Sequence, residues 1–187
     1  NVRNQKPKVK TIDGRKTFLP IEVDNILLNS MGFVIDADKA AMWRGPMLSG
    51  AIKQLKNLTQ WGDLDYLFVD MPPGTGDAYL TVASDIKPDH VLLVSTMSKL
   101  AVHDTVKSKA MFDRLNIPVI GIIDNMSYSI CSKTNNQIYE FSQVNLEQEI
   151  GCDFLGSIPR HEDLTDFDII KKNNLLEPIY NKLKTKL

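Results

Sequence analysis

The chain has 187 residues, of which 43% are hydrophobic and 24% are charged, and this composition predicts one soluble globular domain, residues 1–187, with a substantial core. Its 22 basic and 23 acidic side chains leave a formal charge of -1, which gives no electrostatic reason to expect nucleic acid or an anionic membrane as a partner. No apolar run approaches the roughly 20 residues that a membrane-spanning helix needs, and two cysteines fit a reducing compartment. We therefore predict a cytoplasmic protein, or a mitochondrial matrix protein in a eukaryote.

The beginning of the chain is polar and offers few structural signals. Residues 1–20 are interpreted as an exposed lead-in with a tight turn at Asp13 and Gly14. The first residue is Asn1 and not methionine, which suggests a chain that has been cut out of something longer. The mixed apolar segment at residues 26–35 predicts a strand that Gly32 can break.

A helix is predicted from Pro46, because proline suits the first helical position and apolar residues then recur at steps of three and four. These apolar residues are Leu48, Ile52, Leu55 and Leu58. Residues 45–50 have the glycine spacing of a phosphate loop, but Ala51 and Ile52 stand where that loop requires lysine and then serine or threonine. We therefore reject this segment as a phosphate-binding loop.

Residues 66–77 read Tyr-Leu-Phe-Val-Asp-Met-Pro-Pro-Gly-Thr-Gly-Asp. Four apolar residues without polar alternation predict a strand buried on both faces of a parallel sheet, with Asp70 at its carboxyl end. Ligands bind at that end of an open α/β sheet, so Asp70 is well placed to hold a water of a magnesium shell. Gly74 and Gly76 would let the backbone approach a phosphate. An ordinary strand-to-loop turn is the alternative when the motif is taken alone.

Three further strands are predicted, at residues 91–94, residues 117–124 and residues 154–159, with helices at residues 78–86, residues 99–115 and the C-terminus. Strand, helix and strand at this spacing predict right-handed crossovers and a doubly wound, mostly parallel α/β sheet with flanking helices. Asn125 follows the strand at residues 117–124 at the ligand end, where its side-chain amide can pair with an adenine edge. An asparagine that caps a turn is the alternative interpretation.

Five segments resemble the Mrp family of ATP-binding iron–sulfur cluster carriers, within the MinD-like deviant P-loop ATPases, and the resemblance covers nearly the whole chain. They are residues 30–33, 43–47, 70–77, 125–128 and 155–159. The resemblance implies that Asp70 positions Mg²⁺ and that Gly74 meets the γ-phosphate of ATP through its amide. It also implies that Asn125 reads adenine and that Arg44 contacts a phosphate or a partner subunit. The other nucleotide-binding residues it implies are Gly76, Asp77 and Pro159.

The family continues with a Cys-x-x-Cys pair, and the resemblance implies that this pair, with the pair of a second subunit, holds a 4Fe–4S cluster across a homodimer. Here the segment is Cys131-Ser132-Lys133-Thr134, so that Thr134 occupies the place of the second cysteine. A neutral hydroxyl is a poor substitute for a soft thiolate on iron. Cys152 would complete a pair with Cys131 only if the fold brings the two residues close together. The competing interpretation of Cys131 is an isolated thiol.

The chain contains no GxxxxGK followed by serine or threonine, the loop that cradles the β- and γ-phosphates. In the family this loop lies upstream on the first strand, so we expect this chain alone to bind ATP weakly and to hydrolyse it negligibly. We also expect an unpaired apolar strand edge where the first strand would pair. Two functions are predicted: an ATPase-coupled carrier that delivers clusters to apo iron–sulfur proteins, and a MinD/ParA-like nucleotide switch that binds no cluster.

Overall fold

A computed structural model describes residues 5–12, 14–34, 45–71, 76–131, 133–160, 174 and 176–187. The contacts within the chain fall into two units, Asn1–Lys87 and Pro88–Leu187. No helix in the described part of the chain is both long enough and apolar enough to cross a bilayer.

The first unit is built from two antiparallel hairpins and several short helices. Its strands are β1 (Lys8–Ile12), β2 (Arg15–Leu19), β3 (Ile21–Val23) and β4 (Ile26–Leu28), with β1 paired to β2 and β3 paired to β4. Its helices are α1 (Met31–Val34), α2 (Gly45–Asn57) and α3 (Asp77–Thr81), and a π-helical turn at Val82–Ile86 continues α3.

The lead-in predicted for residues 1–20 contains more structure than the sequence suggests. Gly14 has a φ of +75°, which agrees with the predicted turn, but the residues on either side of the turn pair as β1 and β2. Phe18 is half-buried, and its backbone amide donates to the Leu58 carbonyl at 2.6 Å. The description of residues 1–20 as exposed is therefore wrong for the end of β2.

The strand predicted for residues 26–35 ends early, at Leu28. The structure has α1 from Met31 in its place, so the strand prediction is wrong from that point. The cause is local, because the Ser30 hydroxyl accepts a hydrogen bond from the Gly32 amide at 3.2 Å, as serine does at the start of a helix.

The helix predicted from Pro46 is confirmed as α2, which packs against α3. Ala51 is buried on this helix, and the Thr81 hydroxyl of α3 lies 2.7 Å from the Ser49 hydroxyl of α2. Lys53 of α2 also forms an ion pair of 2.9 Å with Asp85.

The buried strand predicted at residues 66–69 is wrong. These residues form no strand, and Phe68 is 79% exposed. An apolar run is buried as a central strand only when strands pair with both of its edges, and no strand among the described residues pairs with this one. Asp70 is consequently exposed and follows an irregular segment.

The second unit carries the parallel sheet. Its strands are β5 (Val91–Ser95), β6 (Val119–Asp124), β7 (Ser129–Ile130), β8 (Gln137–Ile138) and β9 (Phe154–Ser157), and its helices are α4 (Lys99–Arg114), α5 (Leu146–Ile150) and α6 (Glu177–Lys184). The strands β5, β6 and β9 are parallel and lie in the order β5-β6-β9, whereas β7 and β8 form a separate antiparallel hairpin. The predicted parallel α/β arrangement is confirmed.

The central strand β6 is buried on both faces. On one face Ile122 packs with residues of β5, α4, α5 and the loop between β5 and α4, namely Leu93, Met97, Val102, Leu146 and Ile150. On the other face Ile123 packs with Leu155 of β9 and Ile179 of α6. This sandwich of helices around a continuous apolar strand is what an α/β fold requires.

The outer edge of β5 pairs with no strand among the described residues, and Val94 of β5 is 56% exposed. This agrees with the expectation of an unpaired apolar strand edge.

Candidate functional site

The parallel strands of the second unit end at the same edge of the sheet. Asp124 at the end of β6 lies opposite Ser95 of β5 on one side and opposite Ser157 of β9 on the other. Because ligands of open α/β folds bind outside the carboxyl ends of the strands, this edge is the candidate site.

Two loops leave this edge and are joined by backbone hydrogen bonds. One follows β6 at residues 125–128, and the other follows β9 at residues 158–160. The bonds run from the Ile158 amide to the Asp124 carbonyl (2.8 Å), from the Ser127 amide to the Ile158 carbonyl (2.9 Å) and from the Arg160 amide to the Tyr128 carbonyl (2.7 Å). The two loops therefore form one connected rim.

Asn125 lies in the first of these loops, half-buried at the predicted position. Its backbone amide donates to the Ser95 carbonyl at 2.6 Å, and its side-chain Oδ1 accepts from the Met126 backbone amide at 3.0 Å. The side-chain oxygen thus caps the turn, as the alternative interpretation proposed, and holds Met126 in the left-handed region at φ +54°. The Nδ2 group donates to no acceptor among the described residues, so the capping role leaves a donor for a ligand.

Asp124 is the residue of this edge that sequence reasoning missed. It is 0% exposed, and neither of its side-chain oxygens has a hydrogen-bond partner of good geometry among the described residues. Burial raises the pKa of the Asp124 carboxyl, and the nearby Ser127 hydroxyl offsets this only in part. The only signal in the sequence is an aspartate that ends an apolar run, Gly-Ile-Ile-Asp, directly before Asn125.

Cys131 follows β7 at the end of the β7–β8 hairpin. Its backbone is fixed by two hydrogen bonds, from the Cys131 amide to the Asn136 carbonyl (2.9 Å) and from the Asn135 amide to the Cys131 carbonyl (2.8 Å). The pKa of the Cys131 thiol is lowered by the Thr134 hydroxyl and by the backbone amides of Thr134 and Lys133, all of which donate to the sulfur. Thr134 is therefore a donor that stabilises the Cys131 thiolate.

The second cysteine lies at the other end of the sheet. Cys152 precedes β9 and lines a cavity of about 450 Å³ together with Val119, where β6 begins. Burial raises the pKa of its thiol. Since Cys131 lies beyond the end of β6, one copy of the chain does not bring its two thiols together.

The remaining predicted residues fall into three groups. Pro159 is buried in the rim loop that follows β9. Asp70, Gly76 and Asp77 belong to the first unit, where Asp70 and Gly76 are exposed and Asp77 begins α3. Arg44 and Gly74 lie outside the described residues. Of the predicted site residues, Asn125, Pro159 and Cys131 are thus found on one unit, on connected segments.

Residues 1–182 match the family model described as "ParA: NUBPL iron-transfer P-loop NTPase". The chain belongs to this family. The prediction made from the five short segments, a carrier-type member of the MinD-like P-loop ATPases, is confirmed.

Curated relatives of this ParA/NUBPL chain include proteins named iron-sulfur cluster carrier protein. The chain is 40% identical to the one from Pseudomonas fragi over 157 residues, which are 82% of this chain and 54% of the relative. It is 41% identical to the one from Pyrococcus horikoshii over 141 residues, which are 74% of this chain and 48% of the relative. The iron-sulfur cluster transfer protein NUBPL of Dictyostelium discoideum is 37% identical over 146 residues, 76% of this chain and 45% of the relative. The chain spans about half the length of these relatives.

Two solved structures are similar to this member of the family. A nucleotide-binding protein from Archaeoglobus fulgidus in complex with ADP superposes with a TM-score of 0.66 at 30% identity, over 84% of this chain and 62% of that one. The cell division ATPase MinD of Pyrococcus furiosus gives a TM-score of 0.54 at 14% identity, over 81% of this chain and 62% of that one. The predicted P-loop NTPase-like fold is confirmed.

Proposed function

We propose that this chain is the part of an ATP-dependent iron–sulfur cluster carrier that holds a cluster at Cys131 and passes it to apo iron–sulfur proteins. The observation that carries the proposal is the Cys131 thiol, whose pKa is lowered by three donors and which lies on a hairpin directly after the Asn125 loop. A thiolate is the form of cysteine that binds iron, so these donors prepare the sulfur for a cluster. The names of the relatives from Pseudomonas fragi and Dictyostelium discoideum point the same way.

ATP is the proposed substrate at the edge of the sheet. The unused Nδ2 donor of Asn125 suits a ring nitrogen of adenine, and the Pro159 loop is tied to the Asn125 loop. The family resemblance supports the phosphate side of the site, with Arg44, Gly74, Gly76 and Asp77 as contacts. The ADP in the related Archaeoglobus fulgidus protein fits a nucleotide as the ligand.

Mg²⁺ is the proposed metal cofactor, held through a water by Asp70. Asp70 is exposed and presents a carboxylate, the hard oxygen ligand that Mg²⁺ prefers. When bound, the ion would neutralise charge on the phosphates.

The cluster is proposed as cargo shared by a homodimer. In the described part of one copy, no three His, Cys, Asp or Glu side chains come together as a metal-binding group. A two-fold dimer would bring two Cys131 thiolates to one cluster, in place of the four that two Cys-x-x-Cys pairs supply. Thr134 then acts on the cluster indirectly, because it stabilises the thiolate that binds it.

A nucleotide switch without cluster chemistry is the second candidate. The observation that favours it is Thr134, which occupies the place of the second cysteine. The chain therefore offers half of the thiolates that the family resemblance implies. In this case the nucleotide would control dimerisation with a partner, and Cys131 would be an isolated thiol.

The two candidates are separated by anaerobic reconstitution with iron and sulfide. The experiment uses the natural-length protein, by which we mean the whole protein to which residues 1–187 belong. The carrier predicts a visible charge-transfer band and bound iron, both lost in Cys131→Ser and retained in the matched thiol control Cys152→Ser. ATP hydrolysis without bound iron in the unchanged protein would support the switch and exclude the carrier.

Three further predictions complete the proposal and remain to be tested. We propose that residues 1–187 act as a single domain of the whole protein and that the protein works in the cytoplasm or a mitochondrial matrix. We also propose that its partners are client proteins, and neither nucleic acid nor a membrane.

A further inference from the structure

Arg160 contacts both arms of the hairpin that carries Cys131. Its backbone amide donates to the carbonyl of Tyr128, directly before β7, at 2.7 Å. Its Nη1 forms an ion pair of 2.6 Å with Oε1 of Glu140, just after β8. A single residue thus holds the base of the hairpin from both sides.

An aromatic pair closes the same base. The rings of Tyr128 and Tyr139 lie 5.8 Å apart between centroids and are tilted by 54°, a favourable arrangement for two aromatic rings. The hairpin strands themselves comprise only two residues each, so they contribute few hydrogen bonds of their own. The order of the hairpin therefore depends strongly on the contacts at its base.

On its other side Arg160 belongs to the rim of the candidate nucleotide site. It directly follows the buried Pro159, in the loop whose Ile158 exchanges backbone hydrogen bonds with Asp124 and Ser127. A displacement of this loop therefore moves the Arg160 amide and guanidinium together.

We propose that Arg160, through Glu140, is a positioning residue that couples the Asn125–Pro159 rim to the geometry of the Cys131 hairpin. The coupling rests on the proposed function, since it assumes a nucleotide at the rim and a cluster at Cys131. A nucleotide that orders the rim would hold Arg160 against Glu140, keep the hairpin closed and retain the cluster. Release of the nucleotide would loosen the hairpin and favour transfer.

The size of the effect follows from the exposure of the pair. The Arg160 and Glu140 side chains are 62% and 48% exposed, so solvent screens their attraction. Loss of such a pair changes a local opening equilibrium by about twofold to fivefold. This is enough to bias a hairpin of this size without unfolding the sheet.

Amide hydrogen exchange in the natural-length protein, without cluster, tests the positioning role. Arg160→Ala and Glu140→Gln should each raise exchange across residues 129–138 by about twofold to fivefold, with the amides of β5 and β6 unchanged. Arg160→Lys should keep most of the protection, and the charge swap Arg160→Glu with Glu140→Arg should restore it. The matched control is Lys107→Ala, which removes the similarly exposed ion pair between Lys107 and Asp104 on α4 and should leave the hairpin unchanged. Equal exchange in Arg160→Ala and the control would overturn the proposal.

The same measurement with ADP tests the coupling. ADP should slow exchange of the hairpin in the unchanged protein and should do so less in Arg160→Ala, although both bind ADP. Equal slowing in both proteins overturns the coupling. If calorimetry shows no ADP binding to the unchanged protein, the proposed function fails and the coupling fails with it, whereas the positioning role is decided by the exchange without nucleotide.

Discussion

The Ser127 amide donates a 2.9 Å hydrogen bond to the Ile158 carbonyl, and this bond joins the loop that follows β6 to the loop that follows β9. Ser127 is 4% exposed, so the bond is shielded from water. Asn125 lies two residues before it and Pro159 one residue after its acceptor. The candidate nucleotide edge and the base of the Cys131 hairpin are consequently parts of one hydrogen-bonded structure.

Thr134→Val should make the Cys131 thiol less acidic. The substitution removes the hydroxyl that contributes most to lowering the pKa of Cys131 but keeps the backbone amides and the side-chain shape. The pH dependence of iodoacetamide alkylation, measured in a Cys152→Ser background, should move to higher pH. Thr134→Ser, which keeps a hydroxyl, is the control and should stay close to the unchanged protein. An unchanged titration in Thr134→Val would show that the hydroxyl does not act on the sulfur.

Thr134→Cys should strengthen cluster binding. It would restore the Cys-x-x-Cys pair and raise the thiolates offered by a dimer from two to four, the number that iron–sulfur clusters commonly use. Loss of iron to a chelator after anaerobic reconstitution should slow by more than about tenfold. Removing a residue that only supports a metal ligand already lowers metal affinity by about tenfold or more, and a new ligand should contribute at least as much. A cysteine placed at Lys133, which lies outside the pair spacing, is the control. If both variants retain iron equally, Thr134 does not occupy a ligand position.

The parallel core could be predicted because its signals are local. The apolar runs of β5 and β6 and the amphipathic α4 between them define a crossover with little help from the rest of the chain. The run at residues 66–69 carries the same signal and is exposed, because burial of a strand depends on partners and not on its own residues. Met31–Val34 carries the apolar pattern of a strand but forms a helix, because the Ser30 contact that starts the helix outweighs that pattern.

The sequence predicts the location of a site residue only where the position of that residue relative to a strand decides it. Asn125 follows an apolar strand, so its place at the ligand edge could be deduced. Asp124 is one residue earlier, and an aspartate at the end of such a run gives no sign that it is fully buried. Arg160 acts on Glu140 twenty residues away, and no periodicity in the sequence relates the two.

Asp124→Asn should stabilise the protein at neutral pH. Burial raises the pKa of Asp124 in the folded state above its unfolded value, so the folded state disfavours the charged form. This penalty is absent below the unfolded pKa, grows as pH rises through the folded pKa and is complete above it. The neutral asparagine avoids it at every pH, and we expect about 1–3 kcal/mol more stability at pH 7 than in the unchanged protein.

Urea unfolding between pH 4 and pH 8 measures this difference. The free energies of unfolding of the variant and the unchanged protein should converge at the acidic end and diverge as pH rises. Asp104→Asn, on an exposed site of α4, is the control and should shift stability by no more than about 0.5 kcal/mol. A loss of stability in Asp124→Asn at pH 7 would mean that a partner of the charged carboxylate has been overlooked.

Gly156→Ala should loosen the packing of α6 on the sheet. A Cβ at Gly156 would lie 2.7 Å from Cγ1 of Ile179, a buried residue of α6, so the Ile179 side chain or the helix must shift to admit it. Overpacking of this kind costs about 1–3 kcal/mol, which thermal or urea unfolding of the natural-length protein would detect. Gly50→Ala is the matched control, because a Cβ there meets nothing within 4 Å and alanine favours the helix α2 by about 0.5–1 kcal/mol. The two alanine variants should therefore change stability in opposite directions, and a neutral Gly156→Ala would show that α6 does not pack closely on β9.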